Sequence, residues 1–463
     1  MSSSFLAPVE YRGADSASGP LLVVSGVSGV GWDEVVEVRP AGGAVRHGVV
    51  LEVQRDLAVV QVFEGTAGID PASVGTVFSG APFTVPVGPA WLGRTCTGLG
   101  RPLDGGPPVL SGASRAVNGV PMNPTAREAP RDPVVTGISA IDVFTTLVRG
   151  QKLPIFSVGG LPHLTLAAQL ASQAHAGGEP FAVVFAGMGL TKADAAEVRD
   201  VLEGRAEAGE LAMFINTAAD PVIERILTPR VALTVAEHLA FEEGRHVLVV
   251  MADMTSYCEA VREVSAARGE VPGRRAYPGY LYSDLASLYE RCGRMRDRPG
   301  SLTLVPVLSM PAGDITHPVP DLTGYITDGQ VVLSAELHRA GIYPPVDELS
   351  SLSRLMRHGA GPGRTREDHL EVAAQLVAAQ ARARDARDLG ELVGQAALTG
   401  TDRCYLSFAD RVESEVISQS PVESRPIDRS LDLAWRALAG LPRQELTMIS
   451  TALVDRHLSE QDG

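Results

Sequence analysis

The chain has 463 residues, 45% of them hydrophobic, with 40 basic against 55 acidic side chains and a net charge of −15. That length suits two or three domains with packed cores, which excludes a disordered chain. The acidic balance argues against a nucleic-acid-binding protein, and no apolar run approaches the ~20 residues of a membrane span.

The first twenty residues, "MSSSFLAPVEYRGADSASGP", carry no basic stretch followed by an apolar core, so no signal peptide is expected. Cys96, Cys258, Cys292 and Cys404 stand far apart, which predicts neither a zinc site nor a disulfide framework and suits a reducing cytosol.

Residues 1–75 read as short, Val-rich, roughly alternating strands: "GPLLVVSGV", "EVVEVRP", "VRHGVVLEVQR" and "LAVVQVFEG". Close, regular spacing predicts a small β-barrel, with Gly42, Gly43 and Gly48 at turns and bends. Residues 76–364 form the second expected domain. Its first part, to about 150, is rich in Gly and Pro and reads as a connector wrapping a larger body. Then come "KLPIFSV", "PFAVVFAGM", "LAMFINTA", "RHVLVVMAD" and "SLTLVPVLSM", separated by helical patterns. One such helix, in "TPRVALTVAEHLAFEEG", places Val231, Val235 and Leu239 on a single face. Continuous apolar strands alternating with helices predict an α/β domain with a parallel sheet covered on both faces. Strand signals vanish beyond 364, and residues 365–463 predict a helical bundle.

"LPIFSVGGLPHLTLAAQLA" (153–171) has the layout of a phosphate-binding loop, strand then glycine loop then helix. Such a loop needs G-x-x-x-x-G-K-[ST], its lysine for the β- and γ-phosphates and its hydroxyl for magnesium. Here Ser157 and Pro162 replace the glycines, His163 the lysine and Leu164 the hydroxyl residue. Pro162 also lacks an N–H that a phosphate would use, and a neutral imidazole does not replace a permanent ammonium. Lys152, one of only two lysines, lies at the far end of the strand. Asp253 ends the apolar strand "HVLVVMAD" as a magnesium-holding aspartate would, yet it equally suits the N-cap of a helix beginning near Thr255. No acidic residue occurs in the five positions after Ala186, so a base for activating water is missing.

In "GIYPPVDELSSLSRLMRHGAGPGRTRED" a proline-stiffened loop leads through Ser350, Ser351 and Ser353 to Arg354. An arginine suits charge developing on a transferring phosphoryl group; the alternative is a surface arginine paired with Asp347 or Glu348.

Four further stretches, "TGISAIDVFTTLVRGQKLPIFS", "VPGRRAYPGYLYSDLASLYERCGR", "SMPAGDITHPVPDLTGYITDGQ" and "PPVDELSSLSRL", follow in order. Together they resemble the non-catalytic B subunit of V/A-type rotary ATPases along the whole chain. "PPVDELSSLS" fits the P-x-[hydrophobic]-D-x-x-x-S-x-S pattern shared by the α/β subunits of rotary ATPases. The resemblance implies three copies alternating with three catalytic A subunits around a central rotor stalk, with a peripheral stalk holding the head. It implies ATP or ADP with magnesium bound mainly by the A subunit, and Arg354 donated to the γ-phosphate in trans. Ser353 and Tyr325 would lie at that interface and position the finger or the nucleotide.

The same resemblance places Arg274 and Arg275 in a loop lining the inner sleeve, unless they form internal ion pairs. The barrel would join a crown in which barrel edges pair with neighbours. His317 and Asp314 belong to the family motif without an assigned chemistry. Catalytic relatives carry G-E-R where this chain has Gly189-Leu190-Thr191, which argues against a catalytic subunit. A homo-hexameric translocase or export ATPase would keep an intact loop, and a stand-alone binding protein would leave Arg354 without a task. The expected setting is cytoplasmic, peripheral on the inner face of the plasma membrane, with no hydrolysis by the chain alone.

Overall fold

The computed structural model describes residues 8–394, 396 and 398–459. Seven strands open the chain: β1 (Val9–Arg12), β2 (Ser16–Ser18), β3 (Leu21–Ser25), β4 (Glu34–Arg39), β5 (Arg46–Gln54), β6 (Leu57–Val62) and β7 (Gly75–Pro82). Their order is β1-β7-β4-β5-β6-β3-β2. Because β1 and β2 are halves of one stretch, residues 9–18 pair with β7 and then with β3, closing the sheet into a barrel. Alternation drives this packing: Leu22, Val24, Val36, Val38, Val50, Ala58 and Val60 are all buried inside. Gly48 is needed for close approach, since a Cβ there would lie 2.5 Å from the Gln61 carbonyl oxygen. Within the chain, the short strands β1 and β2 take up the edges of β7 and β3. The barrel sheet also runs on to Pro82 rather than ending at 75.

The central sheet has ten strands. Eight of them are β8 (Thr95–Thr97), β9 (Ile155–Val158), β10 (Phe181–Leu190), β11 (Leu211–Thr217), β12 (His246–Ala252), β13 (Ser301–Met310), β14 (Gly329–Val332) and β15 (Leu352–Ser353). They lie in the order β15-β14-β9-β13-β12-β10-β11-β8, parallel throughout except that β15 runs against β14. The connector thus contributes β8 to the sheet as well as wrapping it. Helices α1 (His163–Gln173), α2 (Lys192–Glu207), α3 (Val222–Phe241), α4 (Met254–Ala267), α5 (Leu281–Tyr289) and α6 (Pro318–Ile326) cover the sheet and its ends. Val231, Val235 and Leu239 of α3 are fully buried, but so are Ala232, Leu233, Thr234 and Ala236. Burial therefore extends beyond a single face, because α3 packs on the sheet and against α4 and α5.

The rest is helical: α7 (His369–Val393), α8 (Gly400–Arg411), α9 (Ile427–Leu438) and α10 (Thr451–Ser459). One buried arginine anchors this region. Arg425 donates to the Ser139 hydroxyl and to the carbonyls of Glu415, Val416 and Ser418. That network fastens the helical region to the central sheet.

Candidate functional site

The phosphate-loop frame is present. β9 ends at Val158, Leu161 N–H turns back to the Val158 carbonyl, Gly160 takes φ +89°, and α1 begins at His163. The chemistry is turned elsewhere. Nδ1 of His163 lies 2.9 Å from the Leu161 carbonyl, which only accepts, so that nitrogen carries the proton and points into the loop's own backbone. Leu164 offers no oxygen. Lys152 is buried and paired with Glu290 at 2.6 Å.

Asp253 is the N-cap of α4, as its place before Thr255 predicts. One carboxylate oxygen accepts from Thr255 N–H at 2.7 Å and the other from the Ser309 hydroxyl at 2.5 Å. After β10, Thr191 and Asp194 form a capping box at the start of α2, and Gly189 takes φ +68°. These residues do not fit a magnesium nucleotide: the metal-side oxygens are committed to structure, and no free carboxylate stands where the base belongs among the described residues.

Arg354 stands at the opposite edge of the sheet. β9 pairs with β14, and β14 with β15, so Arg354 follows directly on the outermost strand. Its backbone N–H donates to the Asp328 carbonyl at 2.9 Å and its Nη1 to the Thr327 carbonyl at 3.2 Å. The carboxylate of Asp328 in turn accepts from Lys152 N–H at 3.0 Å, tying the arginine's support to the foot of β9. The side chain is exposed and has no carboxylate partner among the described residues. Asp347 is engaged by Arg384 at 3.3 Å and caps the turn through Leu349 N–H, Ser350 N–H and the Ser350 hydroxyl. Glu348 is buried. The pairing with Asp347 or Glu348 is thus not formed.

Ser353 faces inward. Its hydroxyl accepts from Gln151 Nε2 at 2.9 Å, and both residues are buried. Strand alternation sends Leu352 and Arg354 out and Ser353 in, so the Ser353 side chain lies beneath the arginine. Tyr325 is 75% exposed on α6, two residues before Thr327. Gln151, Thr327 and Asp328 were not singled out by sequence; "GYITDGQ" contains two of them, but nothing in that stretch signals a support for a residue so far along the chain.

Arg274 and Arg275 form internal pairs, with Asp321 at 3.2 Å and Asp314 at 2.6 Å. Thr316 N–H and hydroxyl, together with Arg275, hold the Asp314 carboxyl down to about 2. His317 caps α6 and packs edge-on against Tyr277. Burial lowers the His317 imidazole, with Arg275 adding to the effect. Two cavities, of about 880 and 450 Å³, open between the barrel and the central domain, away from both the loop and Arg354.

Comparison with known proteins agrees with this architecture. Residues 16–74 match the ATP synthase alpha/beta family beta-barrel domain, 137–353 its nucleotide-binding domain, and 358–458 the C-terminal domain of V and A type ATP synthase. The chain belongs to the ATP synthase alpha/beta family, as a B subunit of the V/A type. It is 54% identical over 450 residues to the B subunit of the A-type ATP synthase of Aeropyrum pernix, covering 97% of each chain. Among solved structures it is similar to the unique ATP synthase subunit NeqB of Nanoarcheaum equitans, with a TM-score of 0.72 and 38% identity over 88% of this chain and 100% of that one.

Proposed function

We propose that this B subunit works in ATP synthesis and ion transport by completing a neighbour's nucleotide site rather than its own. In this reading three copies alternate with three catalytic A subunits around a central rotor stalk, with a peripheral stalk holding the head. ATP or ADP with magnesium is held mainly by the A subunit. Arg354 reaches that nucleotide across the interface, and Tyr325 lines the same edge. Ser353 acts from beneath as a positioning residue. Closure and opening of the interface couple ATP turnover to ion translocation. In this reading the assembly works peripherally at the cytoplasmic, inner face of the plasma membrane. Among the described residues no helix is long and apolar enough to cross a membrane.

The observation that carries this reading is the exposed guanidinium of Arg354, which has no carboxylate partner among the described residues. An arginine at a subunit edge, braced by two carbonyls yet unpaired with any carboxylate among the described residues, is ready for an anion from outside. The degenerate loop supports the same division of labour. The test is ATP hydrolysis by the chain alone, by the chain with its catalytic partner, and by the complex with Arg354→Ala. The expected results are none, full activity, and a loss of about 3–5 powers of ten with assembly intact. Hydrolysis by the isolated chain, or an Arg354→Ala complex as active as wild type, would overturn the proposal.

A further inference from the structure

Glu348 is buried, 8% exposed, in the loop between Val346 and β15 that delivers Arg354. Its carboxyl has no ion pair among the described residues. The charged groups that face it are Asp347 from its own loop, Glu413 from the turn Val412–Ile417, and Arg384 from α7. Both nearby arginines are already engaged: Arg384 with Asp347 at 3.3 Å and Arg387 with Glu413 at 3.3 Å. With Asp410, which also lies 3.8 Å from Arg387, four carboxyl groups meet two guanidinium groups in a seam between the arginine-bearing loop and the C-terminal helices, and Glu348 is the one without a pair among the described residues. It is also the most buried of the four carboxyls.

We propose that Glu348 is a positioning residue for Arg354, seating its loop against α7 and the 412–417 turn when protonated and loosening that seat when ionised. Ionisation puts an unpaired charge into the seam and sets it against Asp347 and Glu413, which disfavours the packed arrangement. The loop is coupled to the arginine through short links. Asp347 N–H donates to the Val332 carbonyl, Val332 N–H to the Ser351 hydroxyl, and the Ser351 hydroxyl to the Asp347 carbonyl. A shift at Glu348 thus reaches β14, against which β15 and Arg354 are registered.

Burial pushes the Glu348 carboxyl up to about 7, Asp347 and Glu413 adding to it and Arg384 opposing, from an ordinary 4.5. Between those values the unfolded chain releases its proton first. The stabilising contribution is therefore complete below about 4.5 and is lost as pH rises through about 7.

This inference rests on the arginine-finger reading, and the experiment separates the two. In the reconstituted complex, kcat and KM are measured from about pH 6 to about pH 8.5 for wild type, Glu348→Gln, Glu348→Val and Arg354→Ala. The expected result is a kcat ratio of Glu348→Gln to wild type that rises by about threefold or more across pH 7, with KM unchanged and Glu348→Val behaving alike. In the chain alone, the wild-type urea midpoint falls between about pH 4.5 and about pH 7 and levels off above, and that of Glu348→Gln does not. Parallel pH profiles for wild type and both Glu348 variants, with Arg354→Ala inactive, overturn the role of Glu348 alone. An indifferent Arg354→Ala overturns the finger reading beneath it. If both Glu348 variants fail to fold, carboxyl NMR titration of wild type decides: a midpoint near 4.5 refutes the proposal and one near 7 supports it.

Discussion

Ser353→Ala isolates the support beneath Arg354. The Ser353 hydroxyl is the acceptor for Gln151 Nε2 at 2.9 Å, and Gln151 is wholly buried. Removing the oxygen strands an amide N–H where water cannot follow, a loss of about 1–3 kcal/mol. The hydroxyl's contact with the Thr146 carbonyl, at 3.5 Å, is too long to add much. Urea unfolding of the isolated chain, read on the transition of the central domain, is expected to show a lower midpoint. A cycle with Gln151→Leu sharpens the attribution, because each single change strands the other's partner. The double variant should then lose about 1–2 kcal/mol less than the sum of the singles. If the nucleotide is held mainly by the partner as proposed, kcat of the complex should fall several-fold with KM unchanged. A Ser353→Ala chain with the wild-type midpoint, or singles that add without coupling, would refute the reasoning.

Restoring the loop's missing groups with His163→Lys and Leu164→Thr together should leave the isolated chain without ATP hydrolysis, measured as phosphate release, because Asp253 stays committed to Ser309 and Thr255. Asp253→Ala removes the α4 cap, so it should cost about 1–2 kcal/mol in thermal or urea unfolding while kcat of the complex stays within about twofold of wild type. Arg425→Ala strips five acceptors, the Glu423 carboxylate among them, of one buried donor group; a loss of about 3 kcal/mol or more is expected, and limited proteolysis should cut preferentially between the central and helical regions.

The main architecture was legible because burial imposes periodicity. Barrel strands alternate since one face meets the core, and β10, β12 and β13 read as unbroken apolar runs since helices cover both faces. The degenerate loop was legible residue by residue, because each missing group removes a separate contact. What escaped was everything fixed by distant chain. Asp347 and Glu348 look like natural partners for Arg354, yet Arg384, 37 residues beyond Asp347, takes the first, while folding buries the second. Gln151 meets Ser353 across 202 residues, a pairing that no local pattern encodes. The inward turn of Ser353 was in principle available from alternation, had β15 been recognised as a strand; at two residues it is too short to show a period.

The register of β9 has a consequence for which changes this chain tolerates. Ile155 and Phe156 lie beside Val331 and Val332, and the next pairing sets Gly329 beside Ser353. The strand that leads into the glycine loop is therefore the foundation on which the arginine's edge strand is laid. At the exposed tip a side chain at Gly159 meets open space while Gly160, at φ +89°, favours glycine, and the buried stem two strands from Arg354 leaves no room for change. Mutational tolerance should therefore change sharply within about four residues along a single strand and turn, from packed stem to exposed tip.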